Sequence, residues 1–202
     1  MPTVNTSLFS NERTRVAGLN RVVSKAIGVG LFVALTVASA RVKVWLPFSP
    51  VPMTMQPMAV LLAGAILGPW LGALSQIIYL TLGLAGAPAF AGVPGAGIGV
   101  LLGPTGGYLM SYPPAAWVVG KLGGRSPGAR RIGVAMLIGL AIIYAFGVAR
   151  LVLFTEGDFV AAVNLGVAPF VVADLIKLAV AATIVVGLRG VARRQGLRGE
   201  NK

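Results

Sequence analysis

The longest uncharged stretch of the chain runs from residue 44 to residue 120. These 77 residues contain no Asp, Glu, Lys or Arg, whereas about a quarter of the residues in an ordinary soluble domain are charged. A helix that crosses a bilayer needs about 20 apolar residues, so this stretch has room for up to three crossings. A mean hydropathy of +0.87 agrees with that reading. The sequence therefore predicts an all-α membrane protein in a lipid bilayer.

The cationic residues predict how the chain is oriented. Lys and Arg residues in loops are retained on the cytoplasmic side of a membrane. Six transmembrane helices with both termini in the cytoplasm place 13 of the 17 Lys and Arg residues on that side. The net charge of +12 is then explained by topology, and no nucleic acid is expected as a partner. The other four cations are Arg41, Lys43 and Arg150 on the outer side and Lys177 within the membrane.

Apolar runs and the residues that interrupt them divide the chain into three parts. We expect a basic cytoplasmic segment at 1–25, a single six-helix transmembrane domain at 26–188 and a basic cytoplasmic tail at 189–202. Pro113 and Pro114 are expected to kink the fourth helix. The six helices are predicted at 26–40, 56–67, 71–84, 108–120, 132–154 and from about 164–169 to 187.

The first apolar run has an alternative interpretation. A basic lead, a short apolar run and the small residues Ala38-Ser39-Ala40 are also typical of a secretory signal with its cleavage site. The polar lead is long for a signal, and the apolar run can extend past Arg41 to Leu46. These two features favour a retained helix.

Two segments within the uncharged stretch predict irregular backbone. Loop 1, residues 47–55, contains Pro47, Pro50 and Pro52, and loop 3, residues 85–107, contains eight Gly and three Pro. Such residues disfavour a continuous helix. Irregular apolar backbone at membrane depth requires shielding by protein or a cavity. The two loops are therefore predicted to form outer lids over a binding cavity.

Asp174 and Lys177 are the acid and the base predicted to lie inside the last helix. Residues three apart share one helix face, and ionisable groups at membrane depth are costly enough to indicate function. A carboxylate beside an ammonium offers an acceptor and a donor to a small polar ligand. The alternative is a self-neutralising pair that only holds helices together.

Several classes of chemistry are excluded or unsupported. The chain has no Cys and no His, which removes thiol nucleophiles, imidazole acid–base catalysis and the usual zinc sites. The segment GPTGGY at 103–108 lacks the Gly-Lys-Ser/Thr ending of a phosphate-binding loop. We therefore expect no enzyme activity, no catalytic residue, no metal and no cofactor, and any use of ATP must occur on partner subunits.

Four further features concern contacts with other helices, with the cavity or with the membrane interface. Ala34 and Ala38 form a small-xxx-small pattern that allows another helix to approach closely. Gln56 must find a hydrogen-bond partner at its depth. The Tyr108 hydroxyl is a candidate donor into the cavity or an interfacial aromatic group. Arg150, near a helix end, is expected to extend towards the interface rather than to a ligand.

Four motifs in register resemble the BioY family, the substrate-binding S components of energy-coupling-factor (ECF) biotin transporters. The resemblance covers about residues 26–187. The Asp-x-x-Lys element is its most informative part. The motifs are PVPMTMQ at 50–56, GLAGAPAFAG at 83–92, GPTGGYL at 103–109 and PFxxxDxxK at 169–177.

The resemblance implies a multi-pass protein of a bacterial-type cell membrane that captures biotin from the outside. It implies pocket roles for Asp174 and Lys177, with the ureido ring of biotin bonded to both. It also implies docking of an ECF transmembrane coupling subunit at Ala34 and Ala38, with ATP hydrolysis on separate ATPase subunits. We assign the remaining pocket contacts to Val51, Thr54, Gln56, Phe90 and Tyr108.

The chain also departs from the family pattern. Residues 93–96 lack the cation that some members carry in this loop, and Ser111-Tyr112 replaces a common Gly-Phe. The partner of the biotin carboxylate is therefore open among Arg41, Lys43, Arg150 and water. Two alternative functions remain. One is a proton-coupled transporter of a small molecule or another vitamin, with Asp174 as the proton relay. The other is a structural or assembly protein that binds no ligand.

Overall fold

The structure, a computed structural model, describes residues 6–91, 97–124 and 128–199. Helices dominate these residues, as the sequence predicts. They are α1 (Thr6–Arg41), α2 (Gln56–Leu67), α3 (Pro69–Leu84), α4 (Ile98–Leu102), α5 (Gly106–Met110), α6 (Tyr112–Gly123), α7 (Ala129–Leu151), α8 (Phe159–Gly166) and α9 (Val171–Gly199). Two short strands, β1 (Lys43–Val44) and β2 (Met53–Thr54), form an antiparallel pair.

Three helical segments among the described residues are long and apolar enough to cross a membrane. They cover Gly18–Arg41, Ala129–Phe154 and Val171–Val191. Helices α2 and α3 are apolar but shorter. The chain is thus a membrane protein, while the six crossings and the orientation of the termini stay predictions.

The end of α1 agrees with the prediction. The helix stops at Arg41, one residue after the predicted end at residue 40, and the chain then turns into β1, which pairs with β2. Lys43 lies opposite Thr54 in this ladder, so loop 1 is a hairpin-like excursion that ends in a strand rather than wholly irregular backbone. Between the two strands, Pro47, Pro50 and Pro52 hold the chain in turns and extended backbone.

The predicted helix start at Gln56 and the turn near residue 68 are confirmed. Gly68 has φ +83°, which only glycine adopts without strain, and Pro69 opens α3 where its missing N–H costs nothing. Gly64 allows α2 to lie directly on α6, since a Cβ at this position would overlap the Ala116 carbonyl. Gly64 thus permits close contact between α2 and α6.

Loop 3 is interrupted by α4, and its residues 92–96 lie outside the described part of the chain. The predicted kink at Pro113 and Pro114 is wrong in position. The helix breaks at Ser111, between α5 and α6. The two prolines occupy the first turn of α6, because there they remove N–H groups that have no partner within the helix.

The last predicted span corresponds to α9, and a short helix that the sequence did not predict, α8, precedes it. Asp158 caps α8 by accepting the Ala161 N–H at 2.9 Å, and a turn at residues 167–170 leads into α9 at Val171.

Towards the other end of α9, Arg189 Nη2 donates to the Ala65 carbonyl of α2 at 2.8 Å. The carbonyl groups near a helix C-terminus lack partners within the helix, so this contact stabilises the bundle at that end.

Candidate ligand-binding site

A cavity of about 310 Å³ lies where α2 and α9 begin. Its walls come from the segment before α2, from the described ends of loop 3 and from the middle of α7. Aliphatic and aromatic groups predominate, and among the described lining residues Asp174 alone carries a formal charge. The lining comprises Trp45, residues 50–54, Gln56, Pro57, Ala91, Gly99, Val100, residues 103–105, Tyr108, Leu109, Tyr112, Ile143, Tyr144, Phe170 and Asp174.

Asp174 lies in the first turn of α9 with both carboxylate oxygens engaged. Oδ1 accepts a 2.7 Å hydrogen bond and ion pair from Lys177 Nζ, and Oδ2 accepts the Tyr144 hydroxyl at 2.7 Å. The carboxylate is 6% exposed. A buried charge needs such partners, since desolvation is otherwise too costly. The carboxylate is therefore fixed in orientation at the cavity wall.

Lys177 connects this pair to the hairpin. Its Nζ also donates to the Thr54 carbonyl at 2.7 Å, 123 positions earlier in the sequence. Lys177 is 12% exposed and is not itself among the described lining residues. The predicted acid and base are thus brought together, with the acid facing the cavity and the base behind it.

Gln56 finds the partner that its burial requires. Its Nε2 donates to the Tyr79 hydroxyl at 2.6 Å, and its Oε1 lies 3.3 Å from Thr54 Oγ1 as an acceptor. Tyr108 donates its hydroxyl to the Gly166 carbonyl at 2.7 Å. Thr54, Gln56 and Tyr108 all line the cavity, as the sequence predicts. Their hydroxyl and amide groups, however, already have protein partners.

Val51 lines the cavity, whereas Phe90 does not. The Phe90 ring packs edge-on against Tyr79 at 5.6 Å between centroids and fills the space above Gly83, where a Cβ would overlap it. Phe90 therefore packs behind the Tyr79–Gln56 hydrogen bond instead of lining this cavity.

Tyr144 is the polar partner of Asp174 that the sequence did not predict. It lies in the middle of an apolar helix, and a hydroxyl at that depth must find a hydrogen-bond partner. That requirement could have identified it, as it identified Gln56. The aromatic residues Trp45, Tyr112 and Phe170 were also missed, because aromatic residues in apolar segments are usual in any membrane protein.

Three cations surround the ends of loop 3. Arg41 donates to the Pro88 carbonyl, Lys43 Nζ donates to the Ala91 carbonyl at 2.6 Å, and Arg150 donates to the Leu102 and Gly103 carbonyls. Each therefore neutralises the partial charge of a backbone acceptor, and together they hold the described ends of the loop against α1 and α7.

A second, shallow cavity follows α1 where it faces α3. Ala34 and Ala38 both line it and both are exposed. Their neighbours are apolar side chains such as Val33, Val37 and Ile78. The small residues thus leave an apolar groove along α1, as the spacing predicts.

A sequence model of the BioY family matches residues 10–194. The chain belongs to the BioY family. Among the described residues of this BioY-family chain, no cluster of three or more Asp, Glu, His or Cys side chains could hold a metal ion.

Relatives and a solved structure agree with this BioY assignment. The probable biotin transporter BioY of Pyrococcus horikoshii is 46% identical over 80% of this chain and 94% of its own length. The biotin transporter BioY of Thermotoga maritima is 40% identical over 81% and 94%. A crystal structure of the S-component for biotin from an ECF-type ABC transporter matches with a TM-score of 0.78 and 26% identity, covering 85% of this chain and 93% of that one. The recognition made from the four motifs is confirmed.

Proposed function

We propose that this protein is the biotin-binding subunit of an uptake transporter. The observation that carries the proposal is the carboxylate of Asp174, the one formally charged group among the described residues of a mainly apolar cavity wall. The relatives named as biotin transporters support the choice of ligand.

The chemistry of biotin complements this wall. Its ureido ring offers two N–H donors, which suit the carboxylate of Asp174, and a carbonyl acceptor. The ammonium of Lys177 suits that carbonyl, which must reach it beside the carboxylate because Lys177 lies behind Asp174. The bicyclic body of biotin prefers apolar surroundings, which Val51, Tyr108 and Phe170 supply. A few placed polar groups within an apolar cavity are typical of small-molecule sites.

Delivery into the cell requires partners. The described residues include no phosphate-binding loop, so ATP hydrolysis is assigned to two separate ATPase subunits. The groove at Ala34 and Ala38 is the proposed docking face for the transmembrane coupling subunit, since small residues let a partner helix approach closely. In this scheme the protein is a multi-pass component of the plasma membrane with six crossings, both termini inside, and loops 1 and 3 over the pocket.

A calorimetric titration of the detergent-purified protein tests the proposal. Biotin should bind saturably at one site, and thiamin and riboflavin should not bind at the same concentrations. Absence of biotin binding would contradict the proposed ligand. In vesicles that lack ATPase subunits, uptake driven by a proton gradient would favour the alternative of a proton-coupled transporter with Asp174 as the relay.

A further inference from the structure

The cavity has one charged group at its α9 wall, and a cation on the hairpin lies at its rim beside two other lining residues. We propose that this rim cation, Lys43, binds the carboxylate at the free end of the ligand. The inference rests on the proposed function, because it concerns the second half of the same ligand. Biotin carries a neutral ureido ring at one end and an anionic carboxylate at the end of a flexible chain.

The hairpin places Lys43 opposite a residue of the cavity wall. Lys43 pairs with Thr54 across the β1–β2 ladder, and side chains of directly opposed residues project from the same face of a sheet. Thr54 lines the cavity. The Lys43 side chain therefore leaves its strand on the same face as Thr54, and its contacts with Ala91 and Trp45 place its end beside the cavity wall.

The ammonium of Lys43 lies between two groups of the cavity wall. It donates to the Ala91 carbonyl at 2.6 Å and lies 5.8 Å from the centre of the Trp45 ring, within the range of a cation–π contact. Both Ala91 and Trp45 line the cavity. A carboxylate that reaches this rim would thus meet the ammonium within a few ångströms.

Not all N–H groups of the Lys43 ammonium are used in hydrogen bonds to the described residues. Among the described residues it makes one hydrogen bond, and an ammonium has three N–H groups. Its side chain is half-buried, so a new ion pair would be less screened than one at an open surface.

The two other rim cations are placed less well. Arg41 is exposed and binds the Pro88 carbonyl, and Pro88 is not among the described lining residues. Arg150 uses Nε and Nη2 on the Gly103 and Leu102 carbonyls and lies over the Phe154 ring at 5.3 Å, with Phe154 likewise absent from the described lining. None of the three cations is itself among the described lining residues, but Lys43 is the one that contacts two of them.

Biotin and its methyl ester distinguish recognition of the carboxylate from binding of the ring. The wild-type protein in detergent should bind biotin at least about 10-fold more tightly than the ester, the size expected for a hydrogen bond to a charged group. Lys43→Gln should bind the two compounds with nearly equal affinity, and Lys43→Arg should restore most of the preference. Arg41→Gln and Arg150→Gln serve as matched controls and should keep it.

Each other result contradicts the inference in a recognisable way. An unchanged preference in Lys43→Gln would assign the carboxylate elsewhere, and its loss in Arg150→Gln alone would assign it to that residue. An equal weakening of both compounds in Lys43→Gln would show that Lys43 only supports Ala91. Equal affinities for the wild type would exclude carboxylate recognition while leaving biotin binding intact, whereas no binding of either compound would remove the proposed function as well.

Discussion

The Tyr144 hydroxyl donates to Asp174 Oδ2 at 2.7 Å, joining α7 to α9 inside the cavity wall. Because Lys177 occupies Oδ1, each oxygen of the carboxylate has a protein donor before any ligand arrives. A ligand N–H must therefore share an oxygen with one of these donors. Fixing the acceptor in advance reduces the ordering cost of binding.

Removal of the Tyr144 hydroxyl tests this relationship. In Tyr144→Phe the buried Oδ2 loses its donor, so the ligand-free protein should lose about 1–3 kcal/mol in free energy of unfolding. Added biotin should recover more stability in the variant than in the wild type, because a ureido N–H supplies the missing donor. Thermal unfolding in detergent with and without biotin measures both effects.

Tyr108→Phe is the matched control for Tyr144→Phe. It also removes a buried cavity-lining hydroxyl, but one bonded to the Gly166 carbonyl rather than to Asp174. Its stability loss should not be recovered preferentially by biotin. Equal recovery in the two variants would contradict the proposed contact between the ligand and Asp174.

Substitutions at the ion pair separate its two interpretations. Asp174→Ala should weaken biotin binding by about 3–5 kcal/mol and destabilise the fold, since it leaves Lys177 buried without its counter-charge. The double variant Asp174→Leu, Lys177→Met should recover stability, because apolar residues often replace a buried ion pair without loss. It should nevertheless bind no biotin. Titration and thermal unfolding of both variants provide the comparison.

A double variant that still binds biotin would mean that the pair only joins the helices. A double variant as unstable as Asp174→Ala would point to the Lys177 contact with the Thr54 carbonyl as the main stabilising element.

A methyl group at Gly147 should displace the part of the cavity wall that Tyr108 forms. A Cβ there would overlap the Tyr108 ring, so Gly147→Ala should displace that wall. We expect a loss of about 1–3 kcal/mol in stability, as for other overpacked cores, and weaker biotin binding. Gly133→Ala on the same helix meets nothing within 4 Å and should be neutral or stabilising. Wild-type affinity in Gly147→Ala would exclude Tyr108 from the binding surface.

A large side chain in the α1 groove should reduce biotin uptake without changing biotin affinity. Ala34→Trp fills the exposed groove without reaching the cavity, so biotin affinity should be unchanged. ATP-dependent uptake in cells that contain the coupling and ATPase subunits should fall by at least about 10-fold, because close helix approach needs small residues. Leu137→Trp adds similar bulk to an exposed position on α7 and should transport normally. Full uptake by Ala34→Trp would place docking elsewhere.

The sequence predicted those features that follow from local chemistry. The start of α2 at Gln56 and the turn at Gly68 depend on proline and glycine, which constrain the backbone wherever they occur. The proximity of Asp174 and Lys177 depends on helix spacing alone. These features needed no information about distant parts of the chain.

Features that depend on long-range packing were missed. The β1–β2 ladder joins residues ten or so positions apart through backbone bonds that leave no side-chain pattern. The break at Ser111 reflects how α5 packs on α7, where Gly107 lies against the Phe146 carbonyl. Tyr144 acquires its role only because α7 lies beside Asp174. No spacing rule within one helix contains that information.

Backbone carbonyls accept the hydrogen bonds of Lys177, Lys43 and Arg150 described above. Every amino acid carries this acceptor, so the contacts can persist while residues 54, 91 and 103 drift during evolution. The paired positions are therefore not expected to covary in sequence. Side-chain substitutions at Thr54 would leave the backbone carbonyl, and with it the hydrogen bond from Lys177, in place. Replacing the amide between Thr54 and Met55 by an ester would weaken this carbonyl as an acceptor, and it would also remove the Met55 N–H that donates to the Val42 carbonyl at 3.3 Å.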